Sequence, residues 1–151
     1  MLFKIFYEDL RGSAKFNKAL FEGSDERILM KSICVFCSSS DSIDEVYFKT
    51  AIDLGFQIGG LNLDLVYGGG GIGLMGAVAR SVHKNGGRVV GVFPEFFRKK
   101  DEDFEYKEAD ELIITETMRI RKAIMDERSD AFIALPGGVG TLEEAIEIMS
   151  M

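Results

Sequence analysis

Two glycine-rich turns, each following an apolar run and opening a helical pattern, are the features of this sequence best suited to chemistry. Gly68-Gly69-Gly70-Gly71-Ile72-Gly73-Leu74-Met75-Gly76 follows Leu63-Asp64-Leu65-Val66-Tyr67, and Pro136-Gly137-Gly138-Val139-Gly140-Thr141-Leu142-Glu143-Glu144 follows Ala131-Phe132-Ile133-Ala134-Leu135. Glycine lets a backbone approach a ligand closely, and the free N–H groups at a helix start attract an anion, so both turns predict a phosphate as guest. Gly71 to Gly76 also fits G-x-G-x-x-G, with Glu95 about twenty residues further on. A dinucleotide fingerprint follows the first strand of its sheet, whereas this turn follows the second, and Glu95 comes after Pro94 rather than at a clean strand end.

The third chemistry-bearing stretch is Thr117-Met118-Arg119-Ile120-Arg121-Lys122. With Thr117 as the cap, the cations fall in the first turn of a helix or just beyond it, where the macrodipole favours negative charge. A local rule broken in this way signals a site. A bound phosphate, a facing carboxylate or a solvated basic face would each resolve the conflict. Thr141 and Glu144 have capping-box spacing, in which the carboxylate satisfies a backbone N–H. The competing reading aims Glu144 at a ligand, and spacing alone leaves both open.

The elements that position these residues alternate from Lys31 onward. Short β-branched runs near 32–37, 63–67, 88–93, 111–115 and 131–135 predict strands, and helices fill about 44–60, 74–85, 117–128 and 141–151. Alternation of this kind predicts an α/β protein with a Rossmann-like, doubly wound parallel sheet. Val46, Ala51, Leu54 and Ile58 form the expected buried stripe of the first helix, and Met75, Val78, Ala79 and Val82 that of the second. Both glycine turns would then lie at strand C-termini on one sheet edge, where such folds bind ligands. Residues 1–29 lack the alternation and are expected to form an N-terminal appendage to a domain over 30–151. The chain stops at Met151 shortly after a good helix is established, and a domain truncated on its C-terminal side is expected.

Cys34-Val35-Phe36-Cys37 has the C-x-x-C spacing of redox and metal sites. In a strand, however, residues three apart point to opposite faces, so the sulfurs would neither pair nor share a metal. The single histidine, His83, lies in a helical pattern and reads as structural; no metal site and no cofactor are expected. With 46% hydrophobic and 28% charged residues, the chain is of ordinary globular composition. Its net charge of −7 argues against a nucleic-acid backbone or an anionic membrane as partner, so any anion must be held by local donors. No run approaches the length of a spanning helix, and Lys4, Glu8, Asp9, Arg11, Lys15 and Lys18 interrupt the start, so neither membrane segment nor signal is inferred and a cytoplasmic protein is expected.

Together these residues resemble the LONELY GUY (LOG) family, the cytokinin riboside 5′-monophosphate phosphoribohydrolases, whose members were often labelled lysine decarboxylases. The resemblance runs from about Lys31 to Met151. It rests on the complete P-G-G-x-G-T-x-x-E motif of Pro136 to Glu144, the Arg121-Lys122 pair and the G-G-G-x-G-L-M-G-like turn of Gly69 to Gly76. It implies Arg121 and Glu144 as a catalytic pair. As substrate contacts it implies Lys122, Gly138, Val139, Gly140, Thr141, Leu142 and Glu143, with Gly69, Gly70, Gly73 and Gly76 of the first turn, Ser39 at the end of the first strand, and Ser150. This sequence departs from the family pattern in having Cys37-Ser38-Ser39-Ser40 where Cys-Gly-Ser-Ser is usual, and Arg119 where a histidine is usual.

The implied reaction is hydrolysis of the N-glycosidic bond of a nucleoside 5′-monophosphate, AMP or a cytokinin riboside 5′-monophosphate, to free base and ribose 5-phosphate. A homodimer is implied as well. The decarboxylase label would require a Schiff-base lysine and a partner for a pyridine nitrogen, and no such pair stands out; Lys122 reads as an anion contact. The alternative is a non-catalytic phosphate-binding module like the molybdenum-cofactor carrier proteins, which are similar in fold. Arg121 and Glu144 in combination favour the hydrolase.

Overall fold

The computed structural model describes residues 2–3, 30–98 and 104–150. Chain order is β1 (Leu2–Phe3), β2 (Ser32–Phe36), α1 (Glu45–Gly60), β3 (Asp64–Tyr67), α2 (Gly73–Lys84), β4 (Val89–Pro94), α3 (Glu95–Arg98), β5 (Glu111–Thr115), α4 (Met118–Glu127), β6 (Ala131–Ala134) and α5 (Val139–Met149). The β-branched runs form one parallel six-stranded sheet in the order β1-β6-β2-β3-β4-β5. The register pairs Ile33 of β2 with both Leu65 and Ala131, and Leu65 in turn with Val89.

Helices cover both faces, as a doubly wound sheet requires. Ala51, Leu54 and Ile58 of α1 and Val78, Ala79 and Val82 of α2 pack on Ile33, Val35, Leu65 and Tyr67. On the other face Met125 of α4 and Ile148 of α5 pack on Cys34, Phe36, Val66 and Val90. Val46 does not join the first stripe and is 54% exposed. It precedes Ala51 by five residues, which on an α-helix leaves it about 140° from the buried line. From β2 the chain winds through β3 and β4 to β5, then returns to place β6 on the opposite side of β2. The strand order therefore reverses between β2 and β6, and there the connections after these strands diverge to leave a crevice. Asp130 fixes this join, since its carboxylate accepts from the N–H groups of Lys31 (2.8 Å) and Ser32 (3.0 Å) and from the Ser32 hydroxyl (3.0 Å).

The short α3 was not foreseen, being one turn long, and α5 begins at Val139, earlier than its periodicity suggests. Within 1–29, Leu2–Phe3 adds a strand beside β6; the remainder of the expected appendage lies outside the described residues. Cys34 and Cys37 are free and packed in the cores on opposite faces. Burial, reinforced by the negative charge of Glu144, pushes both thiols far above the ordinary thiol range. Because the thiolate is the reactive form, both are expected to stay silent toward a disulfide-exchange reagent at pH 8 until the protein unfolds. Rapid labelling of the native protein would contradict this packing.

Candidate active site

A cavity of about 490 Å³ opens at the crevice, within the usual range for small-molecule sites. Ser38, Ser39 and Ser40 after β2, and Gly138, Gly140 and Thr141 at the start of α5, supply polar lining. Phe93, Phe97 and Phe104 with Met75 and Met118 supply apolar lining, and Arg121 and Glu144 complete the wall.

Thr117 caps α4 as expected, its hydroxyl accepting from the Ile120 N–H at 3.2 Å. This start places Arg121 against the sheet, where its Nε donates to the Val92 carbonyl at 2.9 Å and its Nη1 donates to Glu144 Oε1. Arg121 and Glu144 are 4% and 6% exposed, so each charge depends on the other for compensation. The capping-box reading of Glu144 does not hold: Gly138 is the N-cap of α5, Thr141 lies inside the helix, and the carboxylate is on Arg121. Facing carboxylates likewise resolve the cationic turn. Lys122 Nζ donates to Glu143 at 2.6 Å and is paired with Glu147, while Arg119 is exposed.

The two glycine turns are not equivalent. The start of α5 has no side-chain cap, so its first-turn amides have no partner within the helix and adjoin the cavity that Gly138, Gly140 and Thr141 line. At the start of α2, Asp41 Oδ1 accepts from the Gly73 N–H at 2.9 Å, and the Ser38 carbonyl accepts from the Met75 N–H at 3.2 Å. The protein's own carboxylate thus stands where an anion would bind.

Of the residues predicted as site members, the cavity brings together Arg121, Glu144, Ser39, Gly138, Gly140 and Thr141. Gly69, Gly70, Gly73 and Gly76 are not among its lining residues. The side chains of Val139 and Leu142 are exposed, Glu143 faces Lys122, and Ser150 is the C-cap of α5, its hydroxyl donating to the Glu147 carbonyl at 2.7 Å. Sequence reasoning missed the aromatic lining. Its signal was the density of phenylalanine between Phe93 and Phe104.

His83 is structural, its Nδ1 bonded to the Tyr106 hydroxyl at 2.9 Å and its Nε2 to Asp110 at 2.8 Å. Among the described residues no group of three or more His, Cys, Asp or Glu is placed to hold a metal ion.

A doubly wound parallel sheet with a crevice at its switch point defines a Rossmann-like α/β protein. Within that class the chain belongs to the LOG family, whose model, described as possible lysine decarboxylase, matches residues 75–151. It is 45% identical over 120 residues to the probable cytokinin riboside 5′-monophosphate phosphoribohydrolase LOGL2 of Oryza sativa subsp. japonica, covering 80% of this chain and 48% of that protein. It is 44% identical over 127 residues to the cytokinin riboside 5′-monophosphate phosphoribohydrolase LOG3 of Arabidopsis thaliana, covering 84% of this chain and 58% of that protein. The chain thus spans about half the length of these curated relatives. The molybdenum cofactor binding protein of Rippkaea orientalis shares the fold, with a TM-score of 0.68 at 24% identity over 82% of this chain and 72% of that one.

Lys122, the lysine next to Arg121, is poorly suited to the Schiff base that a pyridoxal-phosphate decarboxylase needs. A Schiff-base lysine must be able to lose its proton, yet hydrogen bonds from Lys122 to Glu143 and Glu147 raise its pKa above the ordinary lysine value. The same contacts engage the ammonium group that sequence reasoning assigned to substrate.

Proposed function

We propose that this chain carries the site of a nucleoside 5′-monophosphate phosphoribohydrolase, acting on AMP or a cytokinin riboside 5′-monophosphate. The observation that carries the reading is the buried Arg121–Glu144 pair, set in the same cavity wall as the uncapped start of α5. In this reading the 5′-phosphate sits on the amides of Gly138 to Thr141, where the helix dipole favours a dianion. The Thr141 hydroxyl adds a neutral donor. Departure of the base leaves positive charge on the ribose, as in glycoside hydrolysis, and Glu144 stabilises that charge and orients the attacking water. Arg121, fixed by Val92, holds the carboxylate in one orientation. The similarity to LOGL2 and LOG3 supports the same chemistry. The test is incubation with either nucleotide, which is expected to release free base and ribose 5-phosphate in equal amounts.

Gly68 gives a local check. A Cβ there would overlap the Arg121 guanidinium and reach Met75 Cε at 3.0 Å. Gly68→Ala is expected to displace Arg121 and lower kcat about 100-fold, since a shift near 1 Å costs that much. Unchanged kcat would separate Arg121 from the chemistry.

The reading includes a cytoplasmic homodimer. Val139, Leu142, Ile146 and Met149 form an exposed apolar stripe along α5, supporting self-association. No helix among the described residues is long and apolar enough to cross a membrane. Sedimentation is expected to give a dimer; a monomer at high concentration would contradict it.

A further inference from the structure

The first glycine turn has its own work, separate from the uncapped helix start. The Gly71 N–H donates to the Phe104 carbonyl and the Tyr106 N–H to the Gly69 carbonyl, both at 2.8 Å, while Gly70 and Glu105 form an antiparallel bridge. A Cβ at Gly71 would lie 3.3 Å from the Glu105 carbonyl oxygen, so glycine allows the segment 104–106 to come this close. The segment is tied at two further points: Glu105 pairs with Arg98 of α3 at 3.1 Å, and the Tyr106 hydroxyl meets His83 of α2 at 2.9 Å.

These ties hold the Phe104 ring with its centroid 6.0 Å from those of Phe93 and Phe97, and all three line the cavity. Strand order sets the direction of the cavity. The connections after β6 and β2 bring the amides and serines, whereas β4 and the residues after it bring the aromatic rings. Between them, Glu144 of α5 meets Arg121, which is anchored to Val92 of β4. Helix start, ion pair and aromatic wall thus follow the order phosphate, ribose, base.

We propose that Phe97 and Phe104 form the face on which the nucleotide base stacks, and that Gly71 is a positioning residue for this face. The proposal rests on the nucleotide reading of the site and adds to it the residues that contact the base. Stacking on an aromatic ring is sequence-tolerant and lost on truncation, so the effect must follow the base and spare the sugar phosphate.

The experiment compares the affinities of AMP and ribose 5-phosphate, which lacks a base, by calorimetry on the wild-type protein and on Phe97→Ala, Phe104→Leu and Gly71→Ala. Phe97→Ala and Phe104→Leu are expected to weaken AMP about tenfold and leave ribose 5-phosphate unchanged. Gly71→Ala shifts the same way, with thermal midpoints showing that the variants fold. Phe97 is the safer truncation, being 38% exposed, and leucine at 104 keeps apolar bulk. Equal losses for both ligands in Gly71→Ala would assign the turn to phosphate, and unchanged AMP affinity in both phenylalanine variants would remove the stacking face; either result overturns the proposal. Wild-type protein that binds AMP no more tightly than ribose 5-phosphate also overturns it. Failure of the hydrolase reading is separate: AMP would bind with the expected variant pattern and yield no products.

Discussion

Glu144→Gln is expected to abolish measurable base release, with kcat reduced by about 10²–10⁴-fold, while AMP affinity stays within about tenfold, roughly 1.4 kcal/mol. Glutamine has nearly the shape of glutamate, and its amide oxygen can accept the bond that Arg121 Nη1 donates. It carries no negative charge, so the positive charge on ribose loses its counterion in the transition state. The 5′-phosphate contacts proposed at Gly138 to Thr141 are untouched, which is why binding survives. Steady-state kinetics and calorimetry on one preparation separate the two quantities, and a thermal melt shows how far the unbalanced Arg121 charge weakens the fold. Unchanged turnover would reduce Glu144 to a structural partner of Arg121.

Adenosine is expected to be a far poorer substrate than adenosine 5′-monophosphate. With a net charge of −7 the protein on average repels a dianion, so a phosphate site must be built from local donors. In the proposed reading the uncapped start of α5 supplies them. Loss of two charge-assisted N–H contacts, at about 1.5–3 kcal/mol each, corresponds to a fall of ~10²–10⁴ in kcat/KM. Since those contacts lie away from the glycosidic bond, kcat should fall along with affinity wherever their binding energy positions the ribose. Equal kcat/KM for nucleoside and nucleotide would mean that the α5 start serves another purpose.

Strands β2 to β6 were legible because short β-branched runs between helical patterns have few other solutions, whereas β1, two residues within the segment read as an appendage, was not. The run Ala131 to Glu144 was likewise legible as a strand, a turn and a helix start. The roles within these turns were not, because partners distant in sequence decide them. Glu144 has the spacing of a capping box, yet Arg121, 23 residues away, takes its carboxylate. Gly73 looks like an anion donor, yet Asp41, 32 residues away, already accepts from it. Gly69 to Gly71 look like a cradle, but their pairing with Phe104 to Tyr106 becomes visible only once the sheet brings those segments together. Glycine spacing shows where backbone can come close, not what it comes close to. The Arg121-Lys122 pair divides in the same way, one side chain entering the cavity wall and the other engaged by Glu143 and Glu147.

Product analysis after incubating the purified protein with AMP tests the central claim most directly. Chromatography is expected to show adenine and ribose 5-phosphate rising in equal amounts, with no adenosine and no free phosphate. Adenosine with phosphate would mean that the cavity cleaves the ester rather than the glycosidic bond. AMP recovered intact, though bound, would mean that the Arg121–Glu144 cavity holds nucleotides without hydrolysing them.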